Sequence, residues 1–262
     1  MAQQLPLDSE GITSDLEKFI SGSFSDIYKG KYKNRDVVVK KNNQQQYHLN
    51  EIKIHSKLSH PGIVQLLAYS TDSIILEYVS DKDLFILLDD VNYPQTPFSQ
   101  RLGWLRQISA ALKYLHSIHI IHHDIKIDNC LIDSSERIVK LCDFGFSVQL
   151  EPGTSCKCSN GSFRYCSPEL SIGREHDCEI DIYAFGVVAW EIYTGDMAYG
   201  EMKSQEILRL VSIRETPTIP ENCPPQYKIL LAKCWSLSNT RIKSNELHEF
   251  LEKWVSCIHT EI

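Results

Sequence analysis

The chain has 262 residues, of which 42% are hydrophobic and 23% are charged, and its formal net charge is −7. This composition is ordinary for a globular protein with a sizeable core, and the acidic balance disfavours non-specific binding to nucleic acid or anionic lipid. The polar N-terminus has no apolar signal core and no apolar run is long enough to span a bilayer, so we expect neither export nor membrane insertion.

The first third of the chain is predicted to form short strands around one helix. Residues 37–40 and 73–79 are rich in β-branched side chains, which favour strands. Residues 47–58 have apolar side chains at helical spacing. The residues on or near the predicted inner face of this helix are Leu49, Ile52, His55 and Leu58.

Beyond residue 81 the pattern becomes helical. The segment 102–116 places leucine and isoleucine at helical intervals. Further helices are predicted at 180–193, 206–213, 226–235 and 244–257. This order predicts an α+β fold with a strand-rich lobe over residues 1–78 and a larger, mainly helical lobe over residues 79–262, joined near residues 77–82.

The motif HHDIKIDN at residues 122–129 carries polar groups suited to phosphoryl transfer. That reaction needs a carboxylate near the attacking hydroxyl, a cation for the moving phosphoryl group and an oxygen ligand for magnesium. Asp124, Lys126 and Asn129 supply these three groups within one tight loop. Each could be a turn or loop residue if it stood alone, so their common spacing is what favours a catalytic loop.

Two other charged sites fit the same chemistry. Asp143, in the segment LCDFGFS, can bind magnesium at a second position. Lys40 ends an apolar strand, where its ammonium group would face a nucleotide cleft. Glu51, on the predicted helix, is a suitable partner for Lys40.

Six motifs in this order, the glycine loop included, resemble those of protein kinases over nearly the whole chain. VVVK, ending at Lys40, resembles V-A-I-K, HHDIKIDN resembles H-R-D-L-K-x-x-N, and DFG is intact at residues 143–145. CSPE, ending at Glu169, resembles A-P-E, and DIYAFG at residues 181–186 resembles D-x-W-x-x-G. Arg241 is the natural ion-pair partner of Glu169.

The resemblance implies a single catalytic domain over residues 1–262, with the bilobal kinase fold, that binds ATP and Mg²⁺. It assigns catalysis to Asp124 and Lys126, and magnesium binding to Asn129 and Asp143. The implied ATP-binding residues are Ile20, Gly22, Phe24, Ile27, Val38, Lys40, Glu51, Leu76, Glu77, Val79 and Leu131.

The branch of the family can also be inferred. Lys126 resembles its counterpart in serine/threonine kinases, and Ser162 resembles the small hydroxyl residue that contacts the catalytic Asp and Lys. Trp190 and the pair Cys234-Trp235 resemble the tyrosine-kinase-like branch, which includes Raf-type kinases. The resemblance thus implies ATP-dependent transfer of the γ-phosphate to serine or threonine hydroxyls of proteins.

Two buried roles are implied as well. Asp181 is expected to hold the backbone of the catalytic loop. His55 replaces the apolar residue usually stacked between the lobes, where Leu66, His122 and Phe144 would complete the stack. We expect a hydrogen-bonded core histidine at position 55, with a pH sensor as the alternative.

Three features depart from the kinase pattern. In the glycine loop FISGSFSDIYKG, Ile20 and Ser25 stand at the first and third glycine positions and Gly22 remains at the second. Because glycine permits close backbone approach to phosphates, this change should loosen the cradle. Val38 stands where alanine is usual and narrows the adenine slot, and His123 replaces an arginine that usually receives an activation-loop phosphate.

The link between Lys40 and Glu51 is short for the family. A short link should hold the helix near the cleft with the ion pair formed, which favours an enzyme that is active by default. The activation segment carries hydroxyl groups open to modification, at Thr154, Ser155 and Ser159.

The nine cysteines are scattered and lack the spacing of zinc ligands. Cys156 and Cys158 form a C-x-C pair, but no second pair or histidine cluster in the sequence completes a site. We therefore expect reduced thiols and a cytoplasmic protein.

Two other functions stay open at this point. A pseudokinase, which keeps the fold and binds nucleotide or scaffolds partners without transferring phosphate, is favoured by the altered glycine loop and by Val38. A kinase of small molecules is disfavoured because Glu169 and Arg241 resemble parts of a peptide-docking lobe. The expected partners are a protein substrate with a serine or threonine acceptor and, for regulation, a separate protein; no nucleic-acid partner is expected.

Overall fold

The computed structural model of the protein describes residues 16–21, 25–80, 82–90, 92–133, 138–157 and 161–260. Gly22 and Phe24 lie outside the described residues, and of Ile20 only the backbone is described. Ser159 and Cys158 also lie outside them. Strands dominate the described chain up to residue 77 and helices dominate it from residue 84 onward, which confirms the predicted α+β arrangement.

The N-terminal part is a five-stranded antiparallel sheet. Its strands are β1 (Glu17–Ser21), β2 (Ser25–Tyr32), β3 (Arg35–Asn42), β4 (Leu66–Tyr69) and β5 (Ser73–Glu77). Their spatial order is β1-β2-β3-β5-β4, and the two predicted strands are confirmed as β3 and β5. Side chains of β3 alternate between the two faces: Val37 and Val39 pack with Ile75 on one face, and Val38 packs near Leu76 on the other.

Helix α1 (Gln45–His55) turns polar residues toward the rest of the protein. The predicted inner face was wrong at Leu49, which is 55% exposed. The buried residues of α1 are His48, Glu51, Ile54 and His55. The three polar ones are bonded to the Ser70 carbonyl, the Lys40 ammonium group and the Val64 carbonyl. Because buried polar groups are stable when hydrogen-bonded, an apolar pattern could not reveal this face.

The C-terminal part contains seven further α-helices within the described residues. They are α2 (Leu84–Leu88), α3 (Phe98–Ser117), α4 (Pro168–Ser171), α5 (Glu179–Thr194), α6 (Ser204–Ser212), α7 (Pro225–Cys234) and α8 (Ser244–Thr260). The five predicted helices are confirmed as α3, α5, α6, α7 and α8, with ends that differ by at most four residues. No helix among the described residues has the length and apolar character needed to cross a membrane.

The core of the C-terminal part lies around α3 and α5. Trp104, Leu105 and Leu112 of α3 are fully buried in it. Helix α5 is buried on nearly every side and ends at Gly195, whose φ of 76° is left-handed. Glycine adopts this conformation without steric cost, which explains the sharp end of the helix. This core is the platform on which the polar loops rest.

Two short antiparallel strand pairs place those loops side by side. The pairs are β6 (Ile120–Ile121) with β9 (Val148–Gln149), and β7 (Cys130–Asp133) with β8 (Ile138–Leu141). Residues 122–129 connect β6 to β7, and residues 142–147 connect β8 to β9. The Cys142 N–H donates to the Asn129 carbonyl at 3.0 Å, so the two connecting loops are joined directly.

Candidate active site

Lys40 lies on β3 and is only 6% exposed. Its Nζ atom is 2.8 Å from Oε2 of Glu51 on α1 and 2.9 Å from Oδ1 of Asp143. Burial lowers the pKa of Lys40, but the charges of Glu51 and Asp143 outweigh burial and raise it above its ordinary value. The ammonium group is therefore permanently charged, and the ion pair expected from the short link between Lys40 and Glu51 is formed.

The Asp143 carboxylate follows β8 and faces the same place. Its Oδ1 atom also accepts a hydrogen bond from the Gly145 N–H at 3.3 Å. Burial opposes ionisation of this carboxyl group, but the ammonium group of Lys40 holds the pKa of Asp143 below its ordinary value. The side chain is 38% exposed, so an ionised carboxylate is accessible here.

The Asp124 carboxylate is held from both sides. Its Oδ1 atom accepts hydrogen bonds from the Ser162 hydroxyl at 2.9 Å and the Ser162 N–H at 3.1 Å. Its Oδ2 atom accepts from Nδ2 of Asn129 at 3.0 Å and lies 3.2 Å from Nζ of Lys126. Lys126 also donates to the Ser162 hydroxyl at 3.3 Å. The structure thus brings together the four polar residues that the sequence singled out.

Asp181, at the start of α5, holds the backbone of this loop as predicted. Its carboxylate accepts the backbone N–H of His122 at 2.8 Å and that of His123 at 3.0 Å. Burial raises the pKa of Asp181, but hydrogen bonds from His116 and the loop backbone bring it below its ordinary value. His123 has a left-handed φ of 67°, which costs a non-glycine residue about 1–2 kcal/mol. The buried carboxylate fixes this strained turn.

The oxygen atoms of Asn129 and Asp143 fit a magnesium ion. Nδ2 of Asn129 donates to the backbone carbonyl of Asp124 at 2.8 Å and to its carboxylate at 3.0 Å. Because both amide protons are engaged, the amide oxygen is left to act as a ligand. Amide and carboxylate oxygens are the hard ligands that Mg²⁺ prefers.

Four of the predicted ATP-binding residues pack in one cluster. With Val64 and Ile74 at its centre, this cluster includes Val38, Leu76, Val79 and Leu131. Ile27 lies on β2 opposite Lys40, and the backbone of Ile20 pairs with Ile27. The apolar cluster and the charged residues therefore border the same side of the sheet.

Glu77 uses its side chain for contacts within the protein. Its Oε1 atom accepts hydrogen bonds from the Gln65 N–H at 2.8 Å and from Nζ of Lys140 at 2.6 Å. Lys140 belongs to β8, so this carboxylate links the end of β5 to the C-terminal part.

Glu169 and Arg241 form the predicted ion pair. The Nη2 and Nη1 atoms of Arg241 donate to the two carboxylate oxygens at 3.2 and 2.5 Å. Arg241 is 2% exposed. Burial raises the pKa of Glu169, but the guanidinium group of Arg241 outweighs burial and brings this pKa below its ordinary value. A paired charge of this kind is stable inside the protein only because both partners are present.

Comparison with known proteins agrees with this geometry. The family model described as protein tyrosine and serine/threonine kinase matches residues 14–251. The chain belongs to the protein kinase family. The chain is 31% identical to the serine/threonine/tyrosine-protein kinase HT1 of Arabidopsis thaliana, over 96% of this chain and 70% of that protein.

The chain spans only about a quarter to a third of the length of other relatives. A probable LIM domain-containing serine/threonine-protein kinase of Dictyostelium discoideum is 34% identical over 82% of the chain and 35% of its own length. Mitogen-activated protein kinase kinase kinase 12 of Rattus norvegicus is 31% identical over 85% of the chain and 25% of its own length. These relatives support ATP-dependent serine/threonine kinase activity and the tyrosine-kinase-like branch that the motifs predicted.

Helix α1 of the kinase contributes residues that the sequence analysis did not single out. Nδ2 of Asn50 donates to the carbonyls of Gly145 at 3.0 Å and Ser147 at 2.9 Å. The rings of Tyr47 and Phe146 lie 5.0 Å apart, edge to face. Tyr47 and Asn50 stand four residues and one residue before Glu51. Tyr47, Asn50 and Glu51 are therefore spaced i, i+3 and i+4, which puts them on one face of a helix. Since Glu51 was already predicted to face the cleft, this spacing was the signal that could have identified the other two residues.

His55 sits in the stack between the sheet and the catalytic loop. Its ring centroid is 4.7 Å from that of Phe144, which in turn is 4.9 Å from that of His122. Nε2–H of His55 donates to the Val64 carbonyl at 2.6 Å. Leu66, the remaining predicted member, packs in the cluster around Val64 and Ile74. Burial lowers the pKa of His55 to about 4 despite this hydrogen bond, so a neutral core histidine is the better interpretation.

Replacing His55 with leucine should flatten the pH dependence of the kinase's stability. The ordinary histidine pKa is about 6.5 and the folded-state value is about 4, so the unfolded chain takes up the proton first as pH falls. The stabilisation by neutral His55 is complete above pH ~6.5 and decreases by about 2 kcal/mol on going to pH 5. Urea unfolding at pH 7 and pH 5 measures the decrease in the free energy of unfolding between the two pH values. This decrease should be about 2 kcal/mol smaller in His55→Leu than in the parent. The control is His119→Leu, which changes an exposed histidine and should show the same decrease in unfolding free energy as the parent. Identical pH dependence in the parent and His55→Leu would contradict the assignment of His55 as a buried, neutral histidine.

Proposed function

We propose that this kinase transfers the γ-phosphoryl group of ATP to serine or threonine hydroxyls of proteins, with Asp124 as the catalytic base. One observation carries the proposal. The carboxylate of Asp124, held by Ser162 and Asn129, borders a cleft of about 660 Å³ that Lys126 and Asp143 also line. A base, a cation and a second carboxylate thus face one space large enough for a substrate side chain and phosphate groups.

Each residue has a distinct task in the transfer. Asp124 accepts the proton of the substrate hydroxyl, and Ser162 holds its carboxylate in position. Lys126, 3.2 Å from that carboxylate, stabilises negative charge on the transferring phosphoryl group. Lys40 binds the phosphates of ATP as a charge fixed by Glu51. Magnesium, held by the oxygen atoms described above, supplies further neutralisation of the phosphate charge when bound.

The nucleotide site is assigned to the border between the sheet and the helical part. The apolar cluster around Val64 and Ile74 offers an apolar surface for the adenine ring. We propose that the two lobes meet between residues 78 and 79. The full proposed set of ATP contacts is Ile20, Gly22, Phe24, Ile27, Val38, Lys40, Glu51, Leu76, Glu77, Val79 and Leu131.

A pseudokinase is the second candidate, favoured by Ile20 and Ser25 at glycine positions and by Val38. Catalysis is supported more strongly, because the charged residues that bear most of the phosphate charge are assembled. Charge-assisted contacts are about twice as strong as the neutral backbone contacts that a glycine loop supplies.

The acceptor is proposed to be a peptide segment of a protein. Next to Asp124, the cleft is lined by Phe163, Met197 and Met202, which are 51%, 38% and 46% exposed. Exposed apolar side chains beside a catalytic carboxylate suit a peptide better than a small polar metabolite. A cytoplasmic location and a separate regulatory protein are proposed with it.

Phosphate transfer from labelled ATP to a generic protein substrate, with and without Mg²⁺, tests the proposal. We expect Mg²⁺-dependent incorporation, and we expect acid hydrolysis of the product to give phosphoserine or phosphothreonine. Binding of ATP without any incorporation would favour the pseudokinase. Predominant phosphotyrosine would contradict the acceptor assigned from Lys126 and Ser162.

A further inference from the structure

Three potential metal ligands from three separate segments meet beside the catalytic loop. His123 comes from that loop, Cys156 from the activation segment, and His176 from the turn before α5. Their ligand atoms all lie within 4.8 Å of one another. Nε2 of His123 is 3.0 Å from Nε2 of His176, and Sγ of Cys156 is 3.5 Å from His176 Nε2 and 3.9 Å from His123 Nε2.

These separations match those of ligands around tetrahedral zinc. With Zn–N bonds of about 2.0 Å and Zn–S bonds of about 2.3 Å, tetrahedral ligands lie about 3.3 Å apart for two nitrogens and about 3.5 Å apart for nitrogen and sulfur. The observed separations differ from these values by about 0.4 Å or less. Two imidazoles and one thiolate are a ligand set that zinc accepts, with a fourth ligand completing the tetrahedron.

The backbone around the cluster orients two of the ligands. Nδ1–H of His176 donates to the Arg174 carbonyl at 3.0 Å, because a carbonyl oxygen can only accept. In the neutral ring, Nε2 of His176 therefore carries the lone pair that a metal requires, the arrangement usual for metal-binding histidines. Cys156 and His176 also exchange both backbone hydrogen bonds, each 3.0 Å long, as an isolated antiparallel bridge. The two side chains are thus held opposite each other without help from a metal.

The surroundings favour a cation. His123 and His176 are buried, and Cys156 is half-buried and gives access from solvent. A surface cavity that reaches His176 is also lined by Glu169, Glu175, Asp177 and Glu179. Glu169 and Glu179 pair with Arg241 and Lys243, so Glu175 and Asp177 are the acidic residues of this wall that can raise the local concentration of cations.

We infer that His123, Cys156 and His176 form a binding site for one Zn²⁺ ion. On binding, the Cys156 thiol releases its proton to solvent and a Zn–S bond forms. The ion joins the activation segment to the catalytic loop, at the position where the family usually pairs an arginine with a phosphate. The inference does not depend on the proposed function, since metal binding needs no catalysis.

The sequence alone concealed this site. Cys156 is 33 residues from His123 and 20 residues from His176, so the three residues form no motif with zinc-ligand spacing. The expectation that no histidine cluster accompanies Cys156 is corrected by the fold, which assembles one from distant segments.

Zinc binding by the full chain tests the inference. The protein is stripped with a chelator, titrated with Zn²⁺ against a competing indicator, and analysed for bound metal. We expect one equivalent of tightly bound Zn²⁺ in the parent. The double variant Cys156→Ser/His176→Asn should bind it more than about 100-fold more weakly, since even the loss of an outer-shell partner costs about 10- to 100-fold. Asparagine at position 176 can still donate to the Arg174 carbonyl, so the turn is retained.

A matched control is the double variant Cys257→Ser/His119→Asn, which changes an exposed cysteine and an exposed histidine. It should bind zinc like the parent. The Co²⁺-loaded parent and control should also show a thiolate-to-metal charge-transfer band that is absent from Cys156→Ser. Circular dichroism of the metal-free proteins checks that all variants fold. Absence of stoichiometric zinc in the parent, or equal zinc binding by the two double variants, would overturn the inference.

Discussion

Replacing Asp124 with asparagine should lower the rate of phosphate transfer by about 10²- to 10⁴-fold while ATP affinity and fold are kept. An amide oxygen can keep the hydrogen bond from the Ser162 hydroxyl, which is 2.9 Å long in the parent, so the loop should hold its shape. The amide cannot accept the proton of a substrate hydroxyl, so the chemical step is slowed. Steady-state kinetics with a protein substrate and direct titration with ATP measure the two quantities separately.

Asp128 provides the control for that substitution. It lies in the same loop, four residues from Asp124, and is exposed. Asp128 also lines the cleft, and Asp128→Asn removes the same charge from the same region while Asp124 and its partners Ser162 and Asn129 are kept, so it should lower the transfer rate far less than Asp124→Asn does. Equal rates for Asp124→Asn and the parent would show that Asp124 is not the base.

Replacing Lys40 with methionine should reduce turnover and stability together. Methionine removes the charge assigned to the ATP phosphates, which should cost about 10²- to 10³-fold in rate. It also leaves the Glu51 carboxylate, 1% exposed, without the ammonium group that lies 2.8 Å away in the parent. Breaking a buried ion pair in this way costs about 3–5 kcal/mol of unfolding free energy. Kinetics and urea unfolding measure the two effects.

The two effects of Lys40→Met can be separated by a second substitution. In Lys40→Met/Glu51→Gln the buried charge of Glu51 is also removed, so stability should recover in part while turnover stays low. Lys41→Met is the matched control, because successive side chains of a strand point to opposite faces. The ammonium group of Lys41 lies over the Tyr28 ring, 5.2 Å from its centroid, away from Glu51. Full turnover in the double variant would contradict the phosphate-binding role of Lys40.

The fold and the charged residues of the candidate site were predictable because local patterns specify them. Asp124, Lys126 and Asn129 lie within one short loop, so their spacing in sequence already limits their spacing in space. In the long helices α3 and α8, apolar residues recur at helical spacing along the length of the helix. The five predicted helices therefore differ from the observed ones only at their ends, where capping and fraying decide the limits.

The remaining features depend on contacts between distant segments. The inner face of α1 is polar, because His48, Glu51 and His55 find partners on β3 and in the segments that flank β4 and β5. The partners of His123 also come from distant segments. A backbone bridge between Cys156 and His176 positions these two residues beside it. No local pattern encodes such partners, so sequence reasoning placed Leu49 inside and left Cys156 without a role.

The packing of Phe144 bears on which small molecules can inhibit this kinase. Its ring is fully buried between His55 and His122, and Asn50 ties the following loop to α1 through the carbonyls of Gly145 and Ser147. A compound that needs the space occupied by Phe144 can bind only molecules in which that packing and both hydrogen bonds are broken. Its apparent affinity is reduced by the small fraction of molecules in that state. A compound shaped to the assembled cleft carries no such penalty, so tight-binding inhibitors of this kinase should be sought among molecules that leave Phe144 in place.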